Sequence, residues 1–413
     1  MKRYRTRRIR RSLIMVVTAI VVTVTIACDS SPDRAGFLAP DSATVMIRDH
    51  PTLDTTQASQ LMFPARPSVR IGVVDGEATY QLFHVRHAYR RLDGTIVVTN
   101  SGTAEVRAYD GQGQWQWSSG RQGDGPGEFQ FLAWAQPYRG DSIVAFDGST
   151  GRVSILSPRG AYVRSFQPIA PGDHPRANVV GSFADGSVLA SYGMRPVTTS
   201  DSIRAERPTE QYGIFDAEGS FVRTVGDFVA DEQFVWTDGS LVSVGAVPFG
   251  SVTATAVLDE LFVVGDNMTF ETRTYDRRGT LKQILRIGMD RQPLGREVAE
   301  RHRAAELEEI PESPFRPVQQ RALQATPYPS HYPYYGDVVV TRPSRAYWIQ
   351  LAPQFDQVSD RWLVFEHGGA YRGWYAIPRP VRITDVGDRF VVGIATDQVG
   401  VEFVEVYDLG AAH

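Results

Sequence analysis

The chain has one cysteine, Cys28, in 413 residues, so no intramolecular disulfide can form and stability must come from the core alone. It is nearly without lysine: Lys2 and Lys282 stand against 41 arginines, which leaves no lysine-dependent phosphate loop beyond the N-terminus. HExxH and GxSxG are missing too, which argues against two further hydrolytic designs. The eight histidines are scattered, and no group of acidic residues has the spacing of a calcium loop. His84 and His87 lie three apart on a predicted strand and so fall on opposite faces, which is not the local geometry of a metal pair. No apolar run reaches the roughly 20 residues a membrane-spanning helix needs.

The longest apolar stretch, Leu13 to Ala27, has 15 residues and is interrupted by Thr18, Thr23 and Thr25. It follows a cationic segment of Lys2, Arg3, Arg5, Arg7, Arg8, Arg10 and Arg11, the layout of a secretory signal. Thr25, Ile26, Ala27 and Cys28 resemble the bacterial lipobox, with Thr25 in place of the usual leucine. That resemblance implies cleavage before Cys28 and a lipid on its sulfur; the alternative is an uncleaved anchor with an incidental cysteine. Residues 1–27 carry seven positive charges and no acidic one, so the formal net charge of -4 becomes about -11 after cleavage. This argues against nucleic acid as a partner.

What is present in quantity is a repeat. A β-rich run ends in an aromatic or large apolar residue, then comes an acidic or small polar residue, then a glycine-containing turn. The copies end at Tyr109/Asp110, Leu156/Ser157, Phe215/Asp216, Tyr275/Asp276, Phe365/Glu366 and Tyr407/Asp408, spaced by 47, 59, 60, 90 and 42 residues. Gly113, Gly160, Gly219, Gly279 and Gly369 follow at the same offset, as suits a hairpin whose tip needs positive φ. An earlier turn, such as Asp93–Gly94 or Asp185–Gly186, precedes a run of β-branched residues. Each unit therefore reads as four strands. In the first these are Phe83 to Arg90, Thr95 to Asn100, Glu105 to Tyr109 and Gln114 to Ser118.

The shorter spacings match a propeller blade. The segment Gly120 to Phe166 resembles an NHL-type repeat, and the chain is similar to the six-bladed β-propeller lipoproteins of bacteria. The resemblance implies a fold and an address, not a reaction. The expected fold is all-β, a six-bladed β-propeller with a small helical insertion, preceded by a lipoprotein signal peptide. Residues 1–27 are the signal peptide, 28–66 the lipidated cysteine and a flexible tether, and 67–413 the propeller with its insertion at 289–336. The last repeat has only three strands, so Val69 to Val74 is expected to supply the fourth and close the ring. Thr44 to Arg48 is a further candidate strand.

Two insertions interrupt the period. Gly193 to Pro208 reads as a polar loop. Met289 to Gly336 predicts one helix over Pro293 to Ile310 and a shorter one over Val318 to Ala325, then a run of tyrosines and prolines. His331, Tyr332, Tyr334 and Tyr335 in that run are the candidate binding residues, because insertions in repeat folds carry variable function and tyrosine is enriched at hot spots. The alternative is that they plug the channel mouth. No cofactor, no metal site and no catalytic set is recognisable. The reading is a membrane-tethered extracytoplasmic binding or assembly module for a protein, peptide or glycan, lipid-anchored in the cell envelope. The alternative is a metal-dependent, lactonase-like hydrolase or lyase. The lipid itself is testable: palmitate labelling should mark the wild-type protein and leave Cys28→Ser unlabelled, whereas equal labelling of both would remove the anchor.

Overall fold

In the segment Ile96–Asn100, all five residues are buried, as they are in Ile143–Asp147 and Val188–Tyr192. A strand covered on both faces lies inside a sheet that is itself sandwiched between neighbours. The structure, a computed structural model, describes residues 45–53, 60–172, 174, 176–193, 204–237 and 242–410. The segment expected to be a signal sequence, and Cys28, lie outside the described residues.

The protein is a propeller-like all-β fold of small sheets, each built outward from an innermost strand. Sheet 1 holds Val85–Arg90, Ile96–Asn100, Glu105–Tyr109 and Trp115–Ser119, and sheet 2 holds Leu132–Pro137, Ile143–Asp147, Arg152–Leu156 and Tyr162–Phe166. Sheet 3 holds Asn178–Ser182, Val188–Tyr192, Thr209–Phe215 and Phe221–Val229; sheet 4 holds Thr253–Leu258, Leu261–Asp266, Glu271–Asp276 and Leu281–Ile287. Sheet 5 holds Tyr335–Val340, Tyr347–Leu351, Ser359–Phe365 and Tyr371–Pro378; sheet 6 holds Val381–Gly387, Phe390–Thr396, Glu402–Asp408 and Val69–Ile71.

Successive sheets share apolar cores. Val97 and Tyr89 pack with Leu132 and Ile143, Phe146 and Val153 with Val179 and Val188, and Leu189 and Ile214 with Phe262 and Val264. Val263 and Leu285 pack with Tyr335 and Ile349, and Trp362 and Val364 with Ile383 and Val391. The sixth core joins the last sheet to the first, with Val392 and Val404 against Val85 and Val98. The expected closure is present: Val69, Arg70 and Ile71 pair antiparallel with Val406, Glu405 and Val404.

The repeat has a physical cause in its turns. The Asp110 carboxylate accepts hydrogen bonds from the Gln112 and Gln114 amides (2.9 and 2.8 Å), and Asp216 and Asp276 do the same two and four residues on. Gly113 follows at φ 84°, a value a side chain resists, and an added Cβ would sit 3.0 Å from Val69 of the closing strand. The ends of three second strands repeat another device. Asn100, Asp147 and Asn267 are buried, and their side-chain oxygens accept from Phe83, Gln130 and Val252, the residues leading into the innermost strands. These buried polar groups are satisfied structurally.

Two segments differ from the sequence reading, and a third gains a partner the sequence did not name. The candidate strand at Thr44 to Arg48 is found at Met46–His50, parallel on Leu281–Ile287 as a fifth strand of sheet 4. Gln60–Leu61 adds in the same way to Tyr371–Pro378 of sheet 5. Part of the 28–66 stretch read as a tether is therefore strapped along two outer edges, where His50 Nε2 meets the Gly369 carbonyl at 2.8 Å. Within the expected polar loop, Arg204–Glu206 is a strand that pairs with Gln233–Thr237, itself paired with Val242–Ala246, forming an accessory three-stranded sheet. Its amides and carbonyls find partners there that a loop would have left to water.

Ile71 is 1% exposed at the closing seam. Replacing it with alanine should cost about 2–5 kcal/mol in denaturant melts, and deletion of residues 66–76 should cost more because it bares an edge of Glu402–Asp408. A deletion mutant that melts with the parent would overturn the closure.

Candidate functional site

The insertion forms α1 (Arg296–Glu309) and α2 (Arg316–Ala325). Pro317 fits the first turn of α2, where a missing N–H costs nothing. On α2, Val318, Ala322 and Ala325 recur at helical spacing and pack on Phe234 and Trp236 of the accessory sheet. On α1, His302 is ringed by Phe249 and Phe355, with its Nδ1 at 2.9 Å from the Tyr328 hydroxyl. Arg301 clamps α1 to Asp356 through two bonds of 3.2 and 2.6 Å, and this pairing raises the affinity of the guanidinium for its proton. Insertion and accessory sheet together make a lobe on the side from which the chain runs into the innermost strand of sheet 5.

Beside this lobe a cleft of about 930 Å³ opens between sheets 4 and 5. Its walls come from Pro51–Leu53 of the N-terminal strap, Gly288–Gln292 after sheet 4, Tyr332–Tyr334 ahead of sheet 5, and the segment from Leu351 to Arg361. Arg291 holds one wall together, since its Nε donates to the Tyr332 carbonyl (3.0 Å) and its Nη2 to that of His331 (3.3 Å). The Arg361 guanidinium lies 4.9 Å from the Trp374 ring centre. Gln292, Gln354 and Gln357 add amides, and Asp290 is the one carboxylate among the lining residues.

The four candidate residues of the tyrosine run separate here. Tyr335 is fully buried as the first residue of an innermost strand, stacked on Phe270, with its hydroxyl donating to the Glu271 carbonyl at 3.2 Å. Burial drives its phenol far above the ordinary range. Tyr332 is also buried, and its hydroxyl accepts from the Phe355 amide at 3.3 Å. Tyr335 has no free surface, and Tyr332 shows the cleft only a small part of its own, because the chain must fill the space where it turns into sheet 5. Tyr334 is half-buried on the cleft wall, 5.9 Å from Arg291 and 5.7 Å from the Phe270 ring. His331 is exposed, with its Nδ1 at 3.0 Å from Ser330 Oγ. Cys28 lies outside the described residues.

A second constellation went unnoticed in the sequence, although one member, His87, was weighed and set aside as structural. Strand Val85–Arg90 meets strand Val381–Gly387 at the axis on which the innermost strands converge. Thr384 Oγ1 donates to the Ala88 carbonyl (2.7 Å), the Arg90 amide to Asp385 Oδ2 (3.0 Å), and Arg382 Nη2 to the Val85 and Arg86 carbonyls (3.1 Å each). A bulge between Val85 and His87 re-aims the ring, and His84 lies ahead of the strand, exposed and at φ 51°.

His87 and Asp385 are surrounded by protein yet keep part of their surface open, as groups facing an internal water-accessible space do. Burial, then the charge of Arg382, pushes His87 down to about 4, with Arg342 adding to this and the nearby Ala135 and Thr384 carbonyls opposing it. Burial raises the Asp385 carboxyl against the pull of Arg342. The Tyr89 phenol is raised by burial as well, opposed first by Arg91 and then by Arg342. One arginine thus acts on all three groups. Nothing in the local sequence around Arg342 marks it, since only closure of the ring brings sheets 5, 6 and 1 together.

No family model matches the chain, and no curated protein matches it. Among solved structures it is similar to a Bacteroides fragilis protein thought to be exported (9% identity, TM-score 0.48, covering 89% of this chain and 100% of that one). It is also similar to a member of the DUF4221 family from Bacteroides vulgatus (9% identity, TM-score 0.49, 85% and 98%) and to a streptogramin B lyase (10% identity, TM-score 0.36, 83% and 87%). Likenesses of this size leave the fold to be read from the sheets themselves.

His87 makes a pH dependence measurable. Its protonation is favoured in the unfolded chain near pH 6.5 and in the folded chain only near pH 4, so the unfolded state takes up more protons between these values. Stability contributed by neutral His87 is therefore complete above pH 6.5 and lost as the pH falls toward 4. Asp385 works in the opposite sense and is common to wild type and variant. Relative to His87→Gln, the wild type should lose up to about 3 kcal/mol across that window, read from denaturant midpoints at successive pH values. Parallel curves for the two proteins would refute the buried neutral imidazole.

Proposed function

We propose that this chain is a lipid-anchored six-bladed β-propeller of the bacterial envelope, built from NHL-type repeats, which binds a protein, peptide or glycan and does not transform it. The lipid would sit on Cys28, and the propeller would face the periplasm or the cell exterior. The observation that supports this reading is the cleft beside the insertion. Its size suits a ligand segment, and its lining combines an aromatic wall at Tyr334, two guanidiniums at Arg291 and Arg361, and three glutamine amides. Such a surface offers hydrogen bonds and stacking to a polar or acidic ligand, where acid–base chemistry would need a poised proton donor and acceptor. Six shared cores make the ring a stiff platform, so the cleft is largely preformed and binding orders few side chains.

The candidate contacts narrow accordingly to Tyr334 and His331, joined by Arg361; Tyr332 and Tyr335 carry the wall. Pull-downs from membrane extract with the wild type and a Tyr334→Ala, Arg361→Gln double variant test the reading. The double variant should keep its melting temperature and lose its partner, with an affinity loss of about 2 kcal/mol or more for hot-spot residues. Recovery of the same partner at the same affinity would sink the cleft as the binding surface. Tyr335→Ala serves as the contrast and should lower stability by about 3–5 kcal/mol, as deletion of a fully buried aromatic does.

A further inference from the structure

We propose that the axis mouth at the far end of strand Tyr335–Val340 is a second binding site, for a small oxyanion, held by Arg342 together with the Nδ1 of His87 and the hydroxyl of Tyr89. Three observations carry it. First, Arg342 is half-buried, and no hydrogen bond or ion pair of its side chain occurs among the described residues. Its backbone is pinned beside Gly387 by a single β-bridge, so the guanidinium is positioned without being used. Second, the Tyr89 hydroxyl and His87 Nδ1 are both buried and without a partner in the protein. Tyr89 itself is 1% exposed, and its ring centre lies 6.1 Å from that of His87. A native fold leaves few such groups unsatisfied, and two side by side next to an uncommitted cation is a donor set that lacks its acceptor. Third, the backbone of Arg342 bridges Gly387, two residues past Asp385, whose Oδ2 takes the amide of Arg90 next to Tyr89, so the ends of three innermost strands meet at one mouth; the pull of the Arg342 charge on His87, Tyr89 and Asp385 agrees with this.

The engagement of the local carboxyls favours an anion: Asp385 Oδ2 takes the Arg90 amide, Asp388 Oδ1 takes the Ser344 amide, and Asp93 takes the Thr95 amide and pairs with Arg91, so none of the three is bound to Arg342. Arg382 is committed to the carbonyls of Val85 and Arg86, which leaves Arg342 as the group able to take a carboxylate or phosphate in bidentate fashion. An uncharged hydroxyl ligand would satisfy the two donors but leave that guanidinium unpaired in a partly desolvated place. The oxyanion is a free carboxylate or a phosphoryl group; both offer the same oxygens. This site is distinct from the cleft, which lies ahead of the same six-residue strand, roughly 20 Å away.

Calorimetric titration of the full chain with inorganic phosphate and, separately, with acetate tests the site and distinguishes the two sources. One of the probes should bind the wild type, and Arg342→Gln should bind it about tenfold more weakly or worse, as loss of a charge-assisted pair implies. Tyr89→Phe, which removes one oxygen and preserves the buried shape, should weaken binding severalfold and decides the matter if the arginine variant does not fold. Arg159→Gln, a surface charge in the sheet 2 turn, should bind as the wild type does. Absence of binding by either probe to the wild type, or unchanged affinity in Arg342→Gln and Tyr89→Phe, would overturn the proposal. The cleft variants of the preceding section should leave this titration unchanged, so the two readings fail separately.

Discussion

A four-stranded sheet in this protein cannot cover its own faces. The second strands of sheets 1, 2 and 3 are buried along their whole length, and nothing within one sheet provides that cover. Each sheet is stable only between two others, and a row of such sheets always leaves two faces bare unless it closes. Closure is therefore the condition on which everything else rests. It is achieved with three residues, Val69 to Ile71, taken from the start of the chain and paired with its end. The core of sheets 6 and 1 then completes itself around Ile71, Leu82 and Val404.

That same closure generates chemistry. Strand Val85–Arg90 is from the first sheet and Val381–Gly387 from the last, almost 300 residues apart in sequence, and Arg342 comes from the fifth sheet. Side chains tie these strands to one another's main chain, through Thr384, Arg382 and Asp385. Polar groups gathered at an axis can be neither fully solvated nor fully packed, so their proton affinities move: His87 falls and Asp385 rises, both chiefly by desolvation. Elsewhere buried polar groups such as Asp147 have backbone amides as partners.

The insertion uses a different principle. Its helices do not extend the ring; they dock on a separate small sheet and on an aromatic group formed by Phe249, Tyr328, Tyr332 and Phe355 around His302. Stacked sheets tolerate such additions at their ends because the cores between sheets are untouched. The cleft exists because the lobe, the N-terminal strap and the loop at Gln354–Gln357 meet without filling the space between them.

The sequence by itself determined the units. The aromatic–aspartate–glycine turns are local devices, since an aspartate bonds amides two and four residues on and glycine accepts a positive φ, so the strands of sheets 1 and 2 were legible to within one or two residues. The helices of the insertion were legible for the same reason, in a periodicity of three to four. Even the closing strand could be inferred, because a sheet one strand short must find another. Tertiary structure decided what each side chain faces. Tyr332, Tyr334 and Tyr335 are neighbours of one type in one run, yet Tyr335 is wholly buried, Tyr332 is a buried support at the cleft wall and Tyr334 lines the cleft half-exposed, a distinction set by how the chain turns into sheet 5. Met46–His50 became an outer strand only because sheet 4 presented an open edge. His87 looked like an isolated histidine, and acquired its neighbours Arg342, Arg382 and Asp385 when the ring closed and brought distant sheets to a common axis.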